Sequence, residues 1–381
     1  MKAIKLDSII KIYKGKKANL LSATHLSNCS RFIQIDDLRN DTNIKFTDSK
    51  GIFVEPEDII IAWDGANAGT IGYGLSGIIG STLAKLELQT DDVLPQYLGR
   101  FLKSKFRYLR DKCTGATIPH ISKQVLENLE IPCPSLEDQK RIVKILDQAD
   151  SLRHKRKQAL EMLDDYLKSV FLEMFGDPEK NNKEWNKLFL KDTVDIQSGQ
   201  VNPRNEPYAS MIHIGGADIE SGTGKILKKI SARDAGQISG KYLFDQNYLL
   251  YSKIRPYLNK VSLPDFNGIC SADIYPIKPK EILNKYFLAY ILKSNVFLEY
   301  ANKNSGRANI PKINRNDLLK YKIIVPPTNL QNTFEEKWRK IEDLKQKMTF
   351  QSQELEIQFR ALMQKAFATQ KIVCLSDVNI I

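Results

Sequence analysis

Cysteine and histidine are both scarce in this chain. Its 381 residues include five cysteines and four histidines, and no two cysteines form a C-x-x-C pair. So few cysteines, in an odd number, exclude a small disulfide-stapled fold and are typical of a protein with reduced thiols. Four histidines leave little material for a metal centre built on imidazole groups. We therefore expect a cytoplasmic protein without a metal site.

Long apolar runs are also missing. Residues 58–63 form one of the longest, and this run is far shorter than the ~18 residues that a membrane-spanning helix needs. Residues 1–7 have no apolar core of the kind that a secretory signal requires. A composition of 42% hydrophobic and 27% charged residues excludes a disordered or collagen-like chain. We expect a folded protein with no membrane partner.

The chain lacks a complete motif for chemistry on nucleotides or nucleic acids. Residues 205–208 come nearest to the [DN]-P-P-[YF] loop of adenine methyltransferases, but Glu206 stands where the first proline should be. Residues 222–225 have neither the upstream glycine nor the following serine or threonine of a P-loop. Residues 264–265 are not followed by the second acid and the lysine of a nuclease. We expect no catalytic residue and no cofactor in this chain.

Positive charge is in excess and is unevenly distributed. The net charge is +12. Residues 1–135 carry a net +3 and residues 176–327 a net +8, whereas residues 136–175 are neutral and residues 328–368 carry +1. Two basic blocks that alternate with two nearly neutral segments favour two modules that face nucleic-acid phosphates. The alternative is a surplus of surface lysine that keeps the protein in solution.

The chain also resembles itself at a spacing that rises from 184 to 192 residues. Residues 6–12 resemble residues 190–196, and the tetrapeptide IPHI at 118–121 recurs as IPKI at 310–313. The weak matches keep the same order in both halves, which predicts two copies of one unit. In each copy, strand-like runs and short helical stretches lead to a strand that ends in proline, and a long helix follows.

The two long helices have the clearest periodicity. Residues 136–175 and 328–368 contain no glycine or proline, and apolar residues recur at alternating spacings of three and four, as in a coiled-coil seam. Ser135 and Thr328 are suitable N-caps, and Gly176 is a suitable C-cap. We expect the helices to pair with each other; the alternative is that each lies on its own module. The predicted core of the helix pair is Ile142, Leu146, Ala149, Leu163, Leu167, Phe334, Trp338, Ile341, Leu355 and Phe359.

These patterns predict an α+β fold. Two modules with mixed, mainly antiparallel sheets are separated by two long antiparallel coiled-coil helices, in a tandem repeat with pseudo-two-fold symmetry. The predicted boundaries are 1–135 for module 1, 136–176 for the central helix, 177–327 for module 2, 328–368 for the C-terminal helix and 369–381 for a tail.

The order of elements and the start of each long helix resemble the specificity subunits of type I restriction–modification systems. In that family a proline-rich strand end is followed by L-x-x-Q-x-x-I. Here Pro134 is followed by Leu136, Gln139 and Ile142, and the second copy keeps Gln331 but has Phe334 at the last position. Residues 58–69 and 251–258 also look like segments of the family's target-recognition domains. The resemblance covers essentially the whole chain.

The resemblance implies a non-catalytic subunit that recognises double-stranded DNA. Each module is then a target-recognition domain for one half of a bipartite site, and the helix pair sets the spacing and docks two modification (methyltransferase) subunits. S-adenosylmethionine, ATP and Mg²⁺ then belong to those subunits and to the ATP-dependent restriction subunits. One alternative is a stand-alone coiled-coil DNA-binding regulator or adaptor without enzyme partners. Another is an unrecognised nucleic-acid enzyme that is active with a metal or cofactor.

Basic and amide residues in loops at matching points of the repeat are the candidates for DNA contact. Arginine and asparagine suit bidentate contacts to guanine and adenine, and lysine suits phosphate. For each single residue the alternative is a solvated turn position. The candidates are Lys253, Arg255, Arg307, Asn309 and Lys312 in the second copy, and Thr117, His120 and Lys123 in the first.

Overall fold

The computed structural model describes residues 2–18, 21–25, 28–39, 43–115, 117–306 and 309–368. The chain forms two compact units, of which unit 1 contains residues 1–158 and 350–381 and unit 2 contains residues 159–349. Each unit combines one predicted module with part of each long helix. This division cuts across the boundaries expected near residues 135, 176 and 327. Among the described residues, no helix is both long enough and apolar enough to span a bilayer.

The described residues of module 1 form three small sheets. Its described strands are β1 Lys2–Lys5, β2 Ile10–Lys14, β3 Ser30–Ile33, β4 Lys45–Thr47, β5 Phe53–Val54, β6 Ile59–Ala62, β7 Ile71–Tyr73, β8 Gly77–Ile79, β9 Leu83–Leu88 and β10 Glu130–Cys133. One sheet has the order β2-β9-β6-β7, another has the order β4-β3-β8-β5, and β1 pairs with β10. Strands β3 and β8 are parallel, and the other pairs are antiparallel.

Module 2 repeats this topology strand for strand. Its described strands are β11 Lys187–Phe189, β12 Val194–Ile196, β13 Ile212–Ile214, β14 Ile230–Ser231, β15 Tyr242–Phe244, β16 Leu249–Ser252, β17 Val261–Ser262, β18 Gly268–Cys270, β19 Ile274–Pro279 and β20 Lys322–Ile324. The sheets are β12-β19-β16-β17, β14-β13-β18-β15 and β11-β20, again with one parallel pair, β13 and β18. The prediction of mixed, mainly antiparallel sheets is confirmed.

The central strands β6 and β16 show how each module is packed. Ile59 and Ile61 of β6 belong to the large core that the helices cover, while Ile60 lies in a smaller core on the other face. In β16, Leu249 and Leu250 divide between two cores in the same way. Alternate side chains of a strand point to opposite faces. The sequence of a strand that lies between two cores is therefore a continuous apolar run.

Short helices cover one face of each module. Those in the described residues are α1 Pro95–Ser104, α2 Phe106–Asp111 and α3 Lys123–Glu127 in module 1, and α5 Leu190–Thr193, α6 Lys285–Lys293, α7 Asn295–Lys303 and α8 Arg315–Leu319 in module 2. The long helices are α4 Leu136–Phe175 and α9 Thr328–Ala366. Both lie where the seam predicts them.

The caps of the long helices are partly as expected. Ser135 accepts a hydrogen bond from the Asp138 amide, as an N-cap should, and Gly176 ends α4 with φ 75°. Thr328 is already helical, so the expectation that it caps α9 is wrong. Pro327 stands before it, and its carbonyl accepts the first helical hydrogen bonds. Pro327 is therefore the N-cap residue of α9, and Thr328 is the first residue of the helix.

In each unit the segments of α4 and α9 run antiparallel. In unit 2, Phe175 contacts Phe334, and eleven residues earlier on α4 Asp164 pairs with Lys345, which lies eleven residues later on α9. In unit 1, Arg153 pairs with Glu356, and the start of α4 shares a core with the end of α9. The predicted antiparallel coiled-coil helices are confirmed.

Candidate nucleic-acid interface

In module 1 the turn after β6 lies against the segment that precedes α3. We call residues 65–69 the αL turn, because its first and last residues, Gly65 and Gly69, have left-handed φ values of 95° and 91°. Residues 117–121 are the return segment. The Gly65 amide donates to the Pro119 carbonyl and the Ile121 amide to the Trp63 carbonyl, both at 2.9 Å. Two stretches that are distant in sequence therefore form one surface.

Module 2 carries the same construction. Its αL turn is residues 255–259, bounded by Arg255 and Asn259 with φ 48° each, and its return segment is residues 309–313. The Arg255 amide donates to the Pro311 carbonyl at 2.7 Å, and the Ile313 amide donates to the Lys253 carbonyl at 3.0 Å. These bonds are the counterparts of the two bonds in module 1. The fold therefore brings the predicted DNA-facing stretches of each copy together.

The left-handed position at the start of the turn distinguishes the two copies. Glycine adopts a positive φ freely, whereas a residue with a β-carbon is strained there by on the order of 1 kcal/mol. Module 2 has Arg255 at this position. Its side chain is exposed and makes no hydrogen bond or ion pair with another described residue. Arg255 therefore has a left-handed backbone and a side chain without a hydrogen-bonding or ionic partner among the described residues.

The other candidates of module 2 differ in how freely they face solvent. Asn309 and Lys312 are exposed. Lys253 is half-buried, because its ammonium group donates to the Ala272 carbonyl at 2.7 Å and lies 3.8 Å from Asp273. Its ammonium group therefore has partners within the fold. Arg307 lies outside the described residues.

One candidate of module 1, His120, lies beside an acidic residue. His120 Nδ1 is 2.6 Å from an Asp64 oxygen, and the ammonium group of Lys14 is 3.7 Å from the same carboxylate. Thr117 is exposed, and Lys123 is exposed beside Glu127 at 3.5 Å. In this copy Asp64 offsets part of the positive charge.

Two arginines that sequence reasoning missed hold the αL turn of module 1. Arg39 donates to the Asn67 side chain, and Arg110 donates to the Ala66 carbonyl. Arg39 follows β3 and Arg110 lies in α2, so no local pattern in the sequence connects either of them with the turn. Among the described residues, no cluster of histidine, cysteine, aspartate or glutamate is arranged to hold a metal ion.

Both modules also match a single family model. Residues 1–162 and 182–356 match the type I restriction modification DNA specificity domain. The chain belongs to this family. Each matched segment covers one module and much of the long helix that follows it. The two matched segments therefore correspond to the two copies seen in the topology.

Named relatives from the specificity family cover much of the chain. The chain is 29% identical over 365 residues to the type I restriction enzyme MjaVIII specificity subunit of Methanocaldococcus jannaschii, a match that covers 90% of this chain and 86% of that protein. It is 29% identical over 266 residues to the type I restriction enzyme EcoDI specificity subunit of Escherichia coli, covering 61% and 59%. The predictions of a specificity subunit and of a non-catalytic chain are confirmed, and the stand-alone regulator is not favoured.

Solved structures show the same fold. The S subunit of a type I restriction–modification system from M. genitalium has a TM-score of 0.59 at 15% identity, covering 97% of this chain and 96% of that one. A chain from a study of complex assembly and conformational transition of the type I R-M system gives the same score and identity, covering 97% of each. The predicted fold class is confirmed.

The glutamine of the family motif L-x-x-Q-x-x-I has a structural role in both copies of this specificity-family chain. Gln139 and Gln331 are fully buried at the starts of α4 and α9. Gln139 Oε1 accepts from the Leu94 amide at 2.9 Å, and its Nε2 donates to the Asp92 and Pro134 carbonyls. Gln331 makes the corresponding bonds. Each glutamine ties a long helix to the segment that precedes a short covering helix, α1 in module 1 and α6 in module 2.

The predicted core residues of the helix pair lie on the inward side of both helices. Ile142, Leu146, Leu167, Phe334, Trp338 and Ile341 are buried. Ala149, Leu163, Leu355 and Phe359 are half-buried.

The ion pairs between the helices repeat with the sequence. Arg153 pairs with Glu356 in unit 1, and Lys345 pairs with Asp164 in unit 2. These residues are equivalent at the offset of 192 that relates the two copies. The same pairing geometry therefore holds the helices in each unit.

Proposed function

We propose that this specificity-family chain reads a bipartite site in double-stranded DNA, with each module contacting one half. The duplicated surface carries the proposal, because each module presents an αL turn and a return segment held by corresponding hydrogen bonds. The excess positive charge of both modules supports a polyanionic partner. The proposed contact residues are Lys253, Arg255, Arg307, Asn309 and Lys312 in module 2, and Thr117, His120 and Lys123 in module 1.

Their chemistry divides these residues into two groups. Arg255 and Asn309 can make paired hydrogen bonds to base edges, and such contacts carry sequence information. Lys312 and Lys123 are suited to phosphates, which position a protein without selecting a sequence. Arg255 is the strongest candidate, because its guanidinium group is free of partners among the described residues and its backbone is strained.

The helix pair is proposed to fix the gap between the half-sites and to dock two modification (methyltransferase) subunits. The face of α4 in unit 1 supports a docking role, since a groove of about 840 Å³ lies along it, with Leu94, Val143 and Leu152 among the residues of its wall. Restriction subunits then join the same assembly. S-adenosylmethionine, ATP and Mg²⁺ bind to those partners in this proposal.

Mapping of methylated bases tests the proposal. The full chain is co-expressed with the modification subunits of its own system in a host free of other methyltransferases, and methylated positions are mapped by long-read sequencing. We expect two short half-sites separated by a constant gap. A single continuous motif would contradict the division of the site between the modules. Sequence-specific binding by the chain without any methylation would favour the stand-alone regulator.

A further inference from the structure

An exposed isoleucine occurs at the same place in both return segments. Ile118 is 53% exposed and Ile310 is 51% exposed. The two residues are equivalent at the offset of 192, and each is followed by proline in the repeated tetrapeptide. The second isoleucine of each tetrapeptide, Ile121 or Ile313, is buried in the core of its module. One isoleucine anchors the return segment, and the other points away from the core.

Hydrogen bonds and a proline restrain the backbone around each exposed isoleucine. Pro119 and Pro311 have a restricted φ, and their carbonyls accept the amides that start the αL turns. On the other side, Thr114 and His120 exchange two backbone hydrogen bonds, at 2.9 and 2.7 Å, and the Lys312 backbone amide donates to the Ser305 carbonyl at 2.9 Å. A β-branched side chain also has few rotamers. Little conformational entropy is therefore lost when a partner covers either isoleucine.

The surroundings favour DNA as that partner. Ile310 is next but one to Lys312, and the αL turn that carries Arg255 is bonded to the same segment. Ile118 lies beside Thr117 and close to His120. The neighbours of the two isoleucines on the return segments, Thr117, His120, Asn309 and Lys312, are polar or basic, as in a surface that faces nucleic acid. An apolar side chain among them matches the major groove, where the 5-methyl group of thymine is the apolar mark that a protein can read.

We propose that Ile118 and Ile310 each contact the 5-methyl group of a thymine in the half-site of their own module. This inference rests on the proposed function and adds a contact that hydrogen-bonding residues do not supply. It assigns the same reading element to both copies, whereas the guanidinium group of Arg255 is specific to module 2.

Replacement of thymine by uracil tests this contact, because uracil differs from thymine only in the missing methyl group. Duplexes carrying the mapped site are made with one thymine at a time replaced in either half. Binding of the full chain, Ile118→Ala and Ile310→Ala is measured by fluorescence anisotropy. Loss of one buried methyl group should weaken binding by the parent about fourfold. Uracil in the half-site of module 2 should not change DNA binding by Ile310→Ala, whereas uracil in the half-site of module 1 should still weaken it. For Ile118→Ala, only uracil in the half-site of module 2 should weaken binding.

Matched controls separate this inference from the proposed function. Ile238→Ala removes another isoleucine of module 2, which is 69% exposed, and should bind every duplex like the parent. Uracil effects that are equal in parent and variants, or absent in the parent, would overturn the methyl contact. Normal DNA binding with lost assembly of the modification subunits would assign the isoleucines to a protein interface and overturn it as well. If Arg255→Gly also leaves DNA binding unchanged, the assignment of the whole surface fails.

Discussion

At the scale of single residues, the two copies have the same left-handed backbone position but different side chains there. The αL turn needs a left-handed residue at its start, and module 1 uses Gly65 where module 2 uses Arg255. The buried glutamines are the opposite case, because Gln139 and Gln331 make the same three contacts in both copies. If Arg255 contacts a base, as proposed, this difference lets the two modules read different sequences. An identity marks a position that the shared fold requires.

Replacing Arg255 with glycine should separate stability from DNA binding. The variant takes the residue of module 1 at this position, so the free energy of unfolding should stay within about 1 kcal/mol of the parent. Loss of a bidentate base contact should weaken binding by about 1–3 kcal/mol and relax sequence preference in one half-site. Urea unfolding and binding to the mapped duplex measure the two quantities.

Lys337→Ala is the control for the loss of one positive charge, since Lys337 is exposed on α9 in the same unit. It should leave the preference in both half-sites unchanged. Equal affinity and equal sequence preference for Arg255→Gly and the parent would remove Arg255 from the interface.

Replacing Gln139 with leucine should destabilise unit 1. The change leaves the Leu94 amide and the carbonyls of Asp92 and Pro134 without their partner. Buried polar groups without partners cost about 1–3 kcal/mol each, so we expect a total loss of at least about 3 kcal/mol for the three groups. Thermal and urea unfolding measure it. Gln148→Leu, an exposed position on the same helix, should be nearly neutral; comparable losses in the two variants would mean that the three bonds are not what stabilises this helix start.

At the scale of elements, the two modules attach to the long helices by different chemistry. In unit 1, Arg100 on α1 donates to Asp147 and Asp150 on α4. In unit 2 the equivalent of Arg100 is Tyr290, which packs against Phe334 and Trp338, and burial raises its pKa to about 12. One attachment is ionic and the other aromatic, so they should respond differently to pH.

Trp338→Ala should lower the stability of unit 2 strongly. Trp338 is buried on α9 and contacts Tyr286, Tyr290 and Phe334. Truncation of a tryptophan in a packed core costs about 3–5 kcal/mol, which differential scanning calorimetry would detect as a lower melting temperature. Phe350→Ala, at an exposed position of α9, is the control. A Trp338→Ala variant that melts like the parent would show that this seam position is not packed in solution.

The ionic attachment of unit 1 should weaken in acid. Burial alone raises the pKa of Asp150, but the hydrogen bond and charge of Arg100 outweigh this effect and lower its pKa below the ordinary value. A carboxyl group with a lowered folded-state pKa stabilises the protein above its unfolded pKa of about 3.9. That stabilisation is lost as the pH falls through the folded-state pKa. Asp150→Asn should therefore be less stable than the parent at pH 7, and the gap should close below about pH 4.

Urea unfolding of the parent and Asp150→Asn across this range, with hydrogen exchange of α1 to localise the effect, measures the gap. Asp343→Asn removes an exposed carboxylate on α9 and should give a small gap. A gap for Asp150→Asn that stays constant with pH would contradict the ionic attachment.

At the scale of the whole molecule, both long helices pass through both units. Residues up to 158 of α4 belong to unit 1 and the rest to unit 2, and α9 changes unit at residue 350 in the opposite sense. The seam has the same heptad register in the two helices at the offset of 192. If the helices set the gap between the half-sites, their length should determine it.

Insertion of one heptad into both helices tests this relation. Seven residues added after Leu163 and after Leu355 keep the seam in phase and lengthen each helix by about 10 Å, at ~1.5 Å per residue. At ~3.4 Å per base pair, the preferred gap should grow by up to about three base pairs, while the half-site sequences stay the same. Binding to duplexes that differ only in spacer length, with modification subunits present, gives the optimum. An optimum at the parental spacing would show that the helices do not set the gap.

The sequence alone determined the repeated, periodic features of this protein. The heptad seam predicted α4 and α9 to within two residues at each end, because a helix pair requires apolar residues at regular spacing along the whole contact. The duplication predicted two equivalent modules, and the family motif gave the specificity family. These features can be predicted from the sequence because each depends on neighbouring residues or on a pattern that repeats in order along the chain.

The tertiary structure decided how the interface is built. The bond from Arg255 to Pro311, the support of Asn67 by Arg39, and the burial of Gln139 all join residues from separate elements. Lys253 is an example. Its place in a predicted loop near Arg255 suggested a free cation, but in the folded chain its ammonium group donates to the Ala272 carbonyl. Which side chain is free and which has a partner depends on contacts between distant segments, and only the folded chain brings those segments together.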